Sequence, residues 1–454
     1  MTSTTGLPLV EIIPLRQEWL QLKSNIMDRM RQPVHVVYGG AHLFKSDTTR
    51  KLGKLAERAL AEYAPDAGIL AEAVGIRSDL AGTVYERVKA KLGREAVEDF
   101  RIDFEDGFGT RADAEEDATV DAAAGQLAKG LAEGTLPPFI GLRVKSFGPE
   151  TKSRAVRTLD RFLTAAGKLP EEFVVTLPKI TAVDEVAEFM EALAAYPDVG
   201  VELMIETSLS LRRLTELVER TNGRCVGAHF GPYDYTASLG ITSHNQHLLH
   251  PACHFARSTM LMTLAGSGIA LSDGPTNIMP VAPHRGEGLS DAQKAENRAV
   301  VWRAWGLHYK HVRDALYNGF YQGWDLHPAQ LPTRYAAVYS FFLEGLDAAS
   351  ERLRNFIQKA AQATMVGDVF DDAATGQGLL NYFVRAVSCG AVPEGDVPGL
   401  TGLTLEQLRM GSFAKILEAL REGANQYRCA GWFRQHHIHH LRLRCAFNIW
   451  GPSA

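Results

Sequence analysis

Cysteine is scarce in this chain. Five occur among 454 residues (Cys225, Cys253, Cys389, Cys429 and Cys445), widely spread and with no C-x-x-C pair. An odd, scattered set favours reduced cytosolic thiols over a disulfide framework or a structural zinc site. Long apolar runs are missing as well: the longest nearly apolar stretch, Met260 to Leu271, is broken by Gly and Ser and is too short to span a bilayer. Charge of one sign is also absent. The 48 basic and 53 acidic side chains leave a net charge of −5, which gives no electrostatic footprint for nucleic acid or an anionic membrane. There is no P-loop and no G-x-G-x-x-G to cradle a nucleotide. Met1 to Val10 lacks a basic segment followed by an apolar one. The expectation is a cytoplasmic protein whose partners are small molecules.

What is present is the composition of a globular protein, 46% hydrophobic and 22% charged. Short β-branched runs alternate with helical patterns, which predicts a parallel sheet with helical crossovers. The strand candidates are Val34–Tyr38, Arg101–Phe104, Phe139–Val144, Phe173–Leu177, Val201–Ile205, Cys225–Phe230, Ile269–Ser272 and a weaker one within Gly319–Leu326. Eight strands, each followed by a helix, is the count of a closed (β/α)8 TIM barrel. Capping-box spacings at Thr181–Asp184, Ser290–Gln293 and Thr404–Gln407 mark helix starts. The acidic run Asp113 to Asp117 reads as a solvated helix N-terminus.

The stretch between Tyr38 and Arg101 is too long for one crossover helix. It holds two amphipathic patterns, Thr49–Tyr63 and Leu80–Phe100, and the run Ile69–Val74, which reads either as part of an insertion or as an extra strand. The domain reading is a barrel over residues 1–330, with an insertion over about 40–98, and a helical C-terminal region over 331–454.

Ionisable residues fall repeatedly at the C-terminal ends of these strands. Asp103, Glu105 and Asp106 close the second, Arg143 and Lys145 the third, Lys179 the fourth, Glu206 the fifth and Asp234 the sixth. In a barrel those ends converge on one mouth, where such folds carry their active sites. Glu206 and Asp234 offer hard anionic oxygens suited to Mg²⁺ or Mn²⁺. Arg143 offers a planar fork to a carboxylate. A divalent ion with a 2-oxo acid and an arginine is a device for stabilising an enolate, so the reaction class is carbon–carbon bond cleavage or formation beside a carbonyl. His42, just after the first strand, is an acid–base candidate, and Lys45 and Ser46 share its loop. The histidines at 244, 247, 250 and 254 have metal-ligand spacings, but Pro251 interrupts any single helix through them, and His436–His440 reads as an exposed tail.

Six blocks occur in a telling order: Arg101-Ile-Asp-Phe-Glu-Asp-Gly107, Gly141-Leu-Arg-Val-Lys-Ser146, Leu177-Pro-Lys179, Val201-Glu-Leu-Met-Ile-Glu-Thr207, Gly227-Ala-His-Phe-Gly-Pro-Tyr-Asp234 and Asp325-Leu-His-Pro-Ala-Gln330. Over roughly residues 34 to 335 the sequence resembles the HpcH/HpaI aldolase and citrate lyase β-subunit superfamily, which includes malyl-CoA lyases. The resemblance implies a pyruvate/phosphoenolpyruvate-type barrel with Glu206 and Asp234 as Mg²⁺ (or Mn²⁺) ligands and Arg143 on the 2-oxo-acid carboxylate. Asp103, Glu105 and Asp106 would orient metal-bound waters and neighbouring side chains, and Gly231 and Pro232 would shape the substrate pocket. It also implies a homo-oligomer, and a lyase or aldolase acting on a hydroxy or oxo acid of the pyruvate or glyoxylate type, with a CoA thioester as an open option. The alternatives are malate-synthase-like condensation with thioester hydrolysis, or a non-catalytic barrel subunit. Two features depart from the family. The long first crossover is unusual, and the usual C-terminal aspartate motif is not recognisable; Asp371 or Asp372, in Gly367–Gln377, is the nearest substitute for that proton-transfer group.

Overall fold

The computed structural model describes residues 31–363 and 373–420. Asp371, Asp372, Cys429, Cys445 and the His436–His440 tail lie outside the described residues. The chain divides into two compact units, one ending at Phe341 and the other beginning at Phe342.

The first unit is a closed barrel of eight parallel strands in sequence order: β1 (His35–Gly40), β2 (Asp99–Asp103), β3 (Phe139–Arg143), β4 (Val174–Leu177), β5 (Gly200–Ile205), β6 (Cys225–Phe230), β7 (Ala270–Pro275) and β8 (Gln322–Asp325). The last strand closes on the first, with Val37 opposite Asp325. The (β/α)8 fold class follows directly.

The first crossover is three helices, α1 (Thr48–Tyr63), α2 (Ala67–Val74) and α3 (Ala81–Glu95). The ambiguous run Ile69–Val74 is therefore helix and adds no strand. Local chemistry decides this: the Asp66 side chain accepts a hydrogen bond from the Ile69 N–H at 2.9 Å, and Gly75 closes the helix in the left-handed conformation at φ 84°.

The remaining crossovers carry α4 (Asp113–Glu133), α5 (Lys152–Ala166), α6 (Asp184–Ala192), α7 (Ser208–Arg212), α8 (Leu214–Arg220), α9 (Pro232–Ser238), α10 (Pro251–Leu264) and α11 (Asp291–Tyr317). The Ser290–Gln293 capping box forms as spaced. The Thr181–Asp184 box does not. Thr181 instead bonds Glu185, Oγ1 to Oε1 at 2.7 Å and N–H to Oε2 at 3.1 Å, and α6 starts at Asp184 without a side-chain cap. The acidic run does open a helix, but it is not simply solvated. Asp113 pairs with Arg154 and Arg157 of the next helix, and Glu116 is buried, accepting the Thr158 hydroxyl at 2.7 Å.

Strand alternation sends Phe100 and Ile102 outward under the helices and Asp99, Arg101 and Asp103 into the barrel. The interior is thus charged where many barrels are aliphatic. Arg101 reaches across to Glu202 (Nε to Oε2 at 2.8 Å) and back to Asp99. Thr176 donates to Glu202 at 2.7 Å, and Tyr38 Oη lies 2.9 Å from His229 Nδ1. Each buried ion here has a partner, which is the condition for keeping charge in a dry interior. After β8, α12 (Leu331–Glu344) packs back on the first crossover, with the Tyr335 hydroxyl donating to the Ala96 carbonyl at 3.0 Å.

The described part of the second unit is helical: α13 (Leu346–Ala363), α14 (Ala373–Ser388), α15 (Val397–Thr401) and α16 (Leu405–Arg409). Leu353, Leu380, Phe383, Val397, Leu403 and Ile416 form its buried apolar core. No helix among the described residues is long and apolar enough to cross a membrane.

Candidate active site

The strand ends bring the predicted charged residues to one mouth and bond most of them to each other. Asp103, at the end of β2, is buried and takes four hydrogen bonds. Arg143 donates from Nε at 2.7 Å and from Nη2 at 2.5 Å, and the N–H groups of Glu105 and Gly107 donate at 2.9 and 2.8 Å. Its lone pairs are filled by protein. Asp103 therefore clamps Arg143 and shapes the loop carrying Glu105 and Asp106.

Arg143 is 1% exposed. Asp103 occupies its Nε–Nη2 edge, and Nη1 lies 3.4 Å from Glu105 Oε2. The guanidinium sits over two aromatic rings, 4.7 Å from the Tyr38 centroid and 5.4 Å from that of Trp324. Those rings lie 4.3 Å apart and form the floor beneath it. Sequence reasoning assigned neither ring a role. The available signal was period two, since both occupy inward positions of their strands.

Lys179 joins three loops. Its Nζ lies 2.6 Å from Glu105 and 2.9 Å from Asp106, with Asp234 at 3.8 Å, and its backbone N–H donates to Glu206 at 2.6 Å. Burial would lower its pKa, but Glu105 and Glu206 outweigh burial and raise it. Asp106 responds in the opposite sense: burial pushes it up, and the bond to Lys179 brings it net below the usual range. For Glu105, burial wins over Arg143 and Lys179 and the pKa is raised.

Glu206, at the end of β5, is buried. Burial above all, with the neighbouring Asp234 charge adding to it, pushes the carboxyl up to about 8 against the opposing pull of Lys179. Its Oε1 accepts the Lys179 N–H, while its Oε2 accepts no hydrogen bond among the described residues. Gly231 makes the room: a Cβ there would stand 2.5 Å from Glu206 Cβ and 2.6 Å from Oε2. Gly231→Ala is therefore expected to push Glu206 aside and lower stability by about 1–3 kcal/mol, as thermal or urea unfolding would show; an unchanged melting temperature would mean that Glu206 has space to yield.

Asp234 lies in the first turn of α9, half exposed, with Pro232 at the helix start packed against Gly274. His42 stands on the rim next to Gly40 and Phe108 and makes no hydrogen bond to the carboxylates. Burial and Arg111 lower its pKa. Lys145 turns away from the cluster to hold the acidic loop, donating to the Phe104 carbonyl at 2.7 Å. His250 caps α10 and His254 Nδ1 lies 2.9 Å from Arg257. Among the described residues, no three His, Cys, Asp or Glu side chains form a ready metal cage.

A parallel eight-stranded barrel with an arginine–carboxylate mouth defines the class. Within it, the chain belongs to the family described as a domain of unknown function, DUF6986, whose profile matches residues 26–416. No curated protein sequence matches the chain. Among solved structures, a citrate lyase from Burkholderia xenovorans is similar at 19% identity and TM-score 0.51, over 81% of this chain and 96% of that one. The citrate lyase β subunit of Mycobacterium tuberculosis, complexed with oxaloacetate and magnesium, is similar at 18% identity and TM-score 0.40, over 68% and 98%. Malate synthase of Haloferax volcanii is similar at 15% and 0.43, over 67% and 72%. The first of these neighbours shares the fold.

Proposed function

We propose that this chain is a divalent-metal-dependent carbon–carbon lyase or aldolase that cleaves or forms a bond next to a 2-oxo acid. The observation that carries the reading is Glu206: a buried carboxyl raised to about 8, one oxygen unbonded, beside Asp234 and facing a mouth that also holds Arg143. Burying a carboxylate without a partner is unfavourable, and a cation relieves it. Two carboxylates from neighbouring strand ends fit Mg²⁺ or Mn²⁺, which take a few protein oxygens and complete their shell with substrate and water. When bound there, the ion supplies Lewis-acid stabilisation of an enolate oxygen.

The chain's own residues supply the rest. Arg143 binds the 2-oxo acid's carboxylate, and Asp103, Tyr38 and Trp324 keep the guanidinium in plane. Glu105, raised by burial, is the described carboxyl best placed to exchange a proton; Asp371 is the candidate outside the described residues. His42 at the rim is a second acid–base group, and the Gly231–Pro232 turn borders the pocket. The resemblance carried by the sequence blocks makes hydroxy acids and their CoA thioesters the first substrates to try.

The test is a panel of hydroxy acids and CoA esters assayed for pyruvate or glyoxylate release. Release that disappears with EDTA and returns with Mg²⁺ or Mn²⁺ supports the proposal. Thioester hydrolysis coupled to condensation instead would establish the malate-synthase-like reaction, and complete inactivity across the panel would leave a barrel subunit without catalysis.

A further inference from the structure

The Lys179 side chain meets three carboxylates of the mouth, and the reaction proposed above gives it no part. Its backbone is left-handed, φ 50°, although it is not glycine. Such a conformation persists only where the surroundings over-determine it. Here the surroundings are three acidic strand ends. The N–H reaches Glu206 Oε1 at 2.6 Å, and the ammonium reaches Glu105 Oε1 at 2.6 Å, the Asp106 oxygens at 2.9 and 3.0 Å and Asp234 Oδ2 at 3.8 Å. Arg143 is the other cation of the mouth: Asp103 clamps it and its Nη1 lies 3.4 Å from Glu105, but among the described residues it makes no ion pair with Asp106, Glu206 or Asp234. Among the described residues, Asp234 has no ion pair other than the one with Lys179. The lysine is thus the internal cation of a cluster of carboxyl groups.

We propose that Lys179 is a tethered counter-cation that competes with a divalent metal ion for this cluster, so that the ion binds as Nζ withdraws from Asp234 and its neighbours. The inference rests on the metal reading of Glu206 and Asp234. Two positive charges a few ångströms apart in a partly buried site repel far more strongly than they would in water, and the carboxylates cannot serve both at full strength. The tether has a use in the metal-free chain, where its ammonium offsets the charges at the ends of β2 and β6 and its N–H holds the Glu206 carboxyl of β5. It would also tune metal affinity downward.

Calorimetric titration of the metal-stripped full chain with Mn²⁺ tests this. Lys179→Met and Lys179→Gln should bind at least about tenfold tighter than wild type, while the charge-keeping Lys179→Arg stays near wild type. Equal or weaker binding by cooperatively folded Lys179→Met and Lys179→Gln, with Glu206→Gln abolishing binding, overturns the competition and leaves the metal reading standing. If neither wild type nor the Lys179 variants bind Mn²⁺, the metal reading fails and the inference with it. A second measurement needs no variant. Reductive methylation of the wild-type chain at fixed pH, read by mass spectrometry, should label Lys179 more strongly when Mg²⁺ is added; unchanged or weaker labelling overturns the proposal.

Discussion

Asp103→Ala is expected to lower the free energy of unfolding by about 3–5 kcal/mol, the range seen when one partner of a buried ion pair is removed. The variant leaves the buried Arg143 guanidinium with Glu105, at 3.4 Å, as its one ion partner among the described residues, and it strips the acceptor from the Glu105 and Gly107 N–H groups. Asp103→Asn, which keeps an acceptor oxygen but loses the charge, should fall between alanine and wild type. The functional consequence follows from orientation. With its Nε–Nη2 edge released, Arg143 no longer holds its plane over Tyr38 and Trp324, so 2-oxo-acid binding weakens along with stability. Urea unfolding and calorimetry with oxaloacetate or pyruvate measure the two effects. A loss below about 1 kcal/mol would mean that the clamp contributes no more than an exposed pair does.

The second large effect belongs to Glu206 and acts through pH. Its carboxyl stands at about 8 in the folded chain against a reference of 4.5, so the folded protein holds a proton that the unfolded chain has released. A folded pKa above the unfolded one contributes stability that is complete below about pH 4.5 and is lost as pH rises to about 8. At 1.36 kcal/mol per unit, that loss is about 4–5 kcal/mol. Glu206→Gln cannot release the proton. Without metal, its stability relative to wild type should therefore climb by about 4 kcal/mol between pH 5 and pH 9. Urea unfolding in EDTA across that range is the measurement, and a difference independent of pH would show that Glu206 is ionised throughout. Adding Mg²⁺ to wild type at pH 8 should recover much of the loss, because a cation offsets the buried charge.

Much of this site was legible because barrel strands are short and period two is strict. Once Glu206 and Asp234 are placed just past the fifth and sixth strands, and Arg143 at the end of the third, one mouth is the only place they can meet. The cap of α2 was legible in principle too, from Asp66 and Gly75, but the apolar run between them fits helix and strand equally well. Thr181 was misjudged for a related reason: its hydroxyl had a nearer carboxylate, Glu185, than the spacing rule considered. The buried Arg101–Glu202 pair could not be read at all, since its partners are about a hundred residues apart in sequence and meet only across the barrel.

By itself the sequence determined the barrel class, the C-terminal ends of the second to sixth strands to within a residue, the scarcity of cysteine and the acidic residues at those ends, because all of these are local patterns; β1 and β7 run on to Gly40 and Pro275. Only the tertiary structure decided which edge of Arg143 Asp103 occupies, that two aromatic rings lie beneath the guanidinium, and that Lys179 stands inside the carboxylate cluster. Those are facts about pairs of groups brought together by barrel closure. A hydrogen bond, a desolvation penalty and a raised pKa each depend on what the far side of the barrel presents.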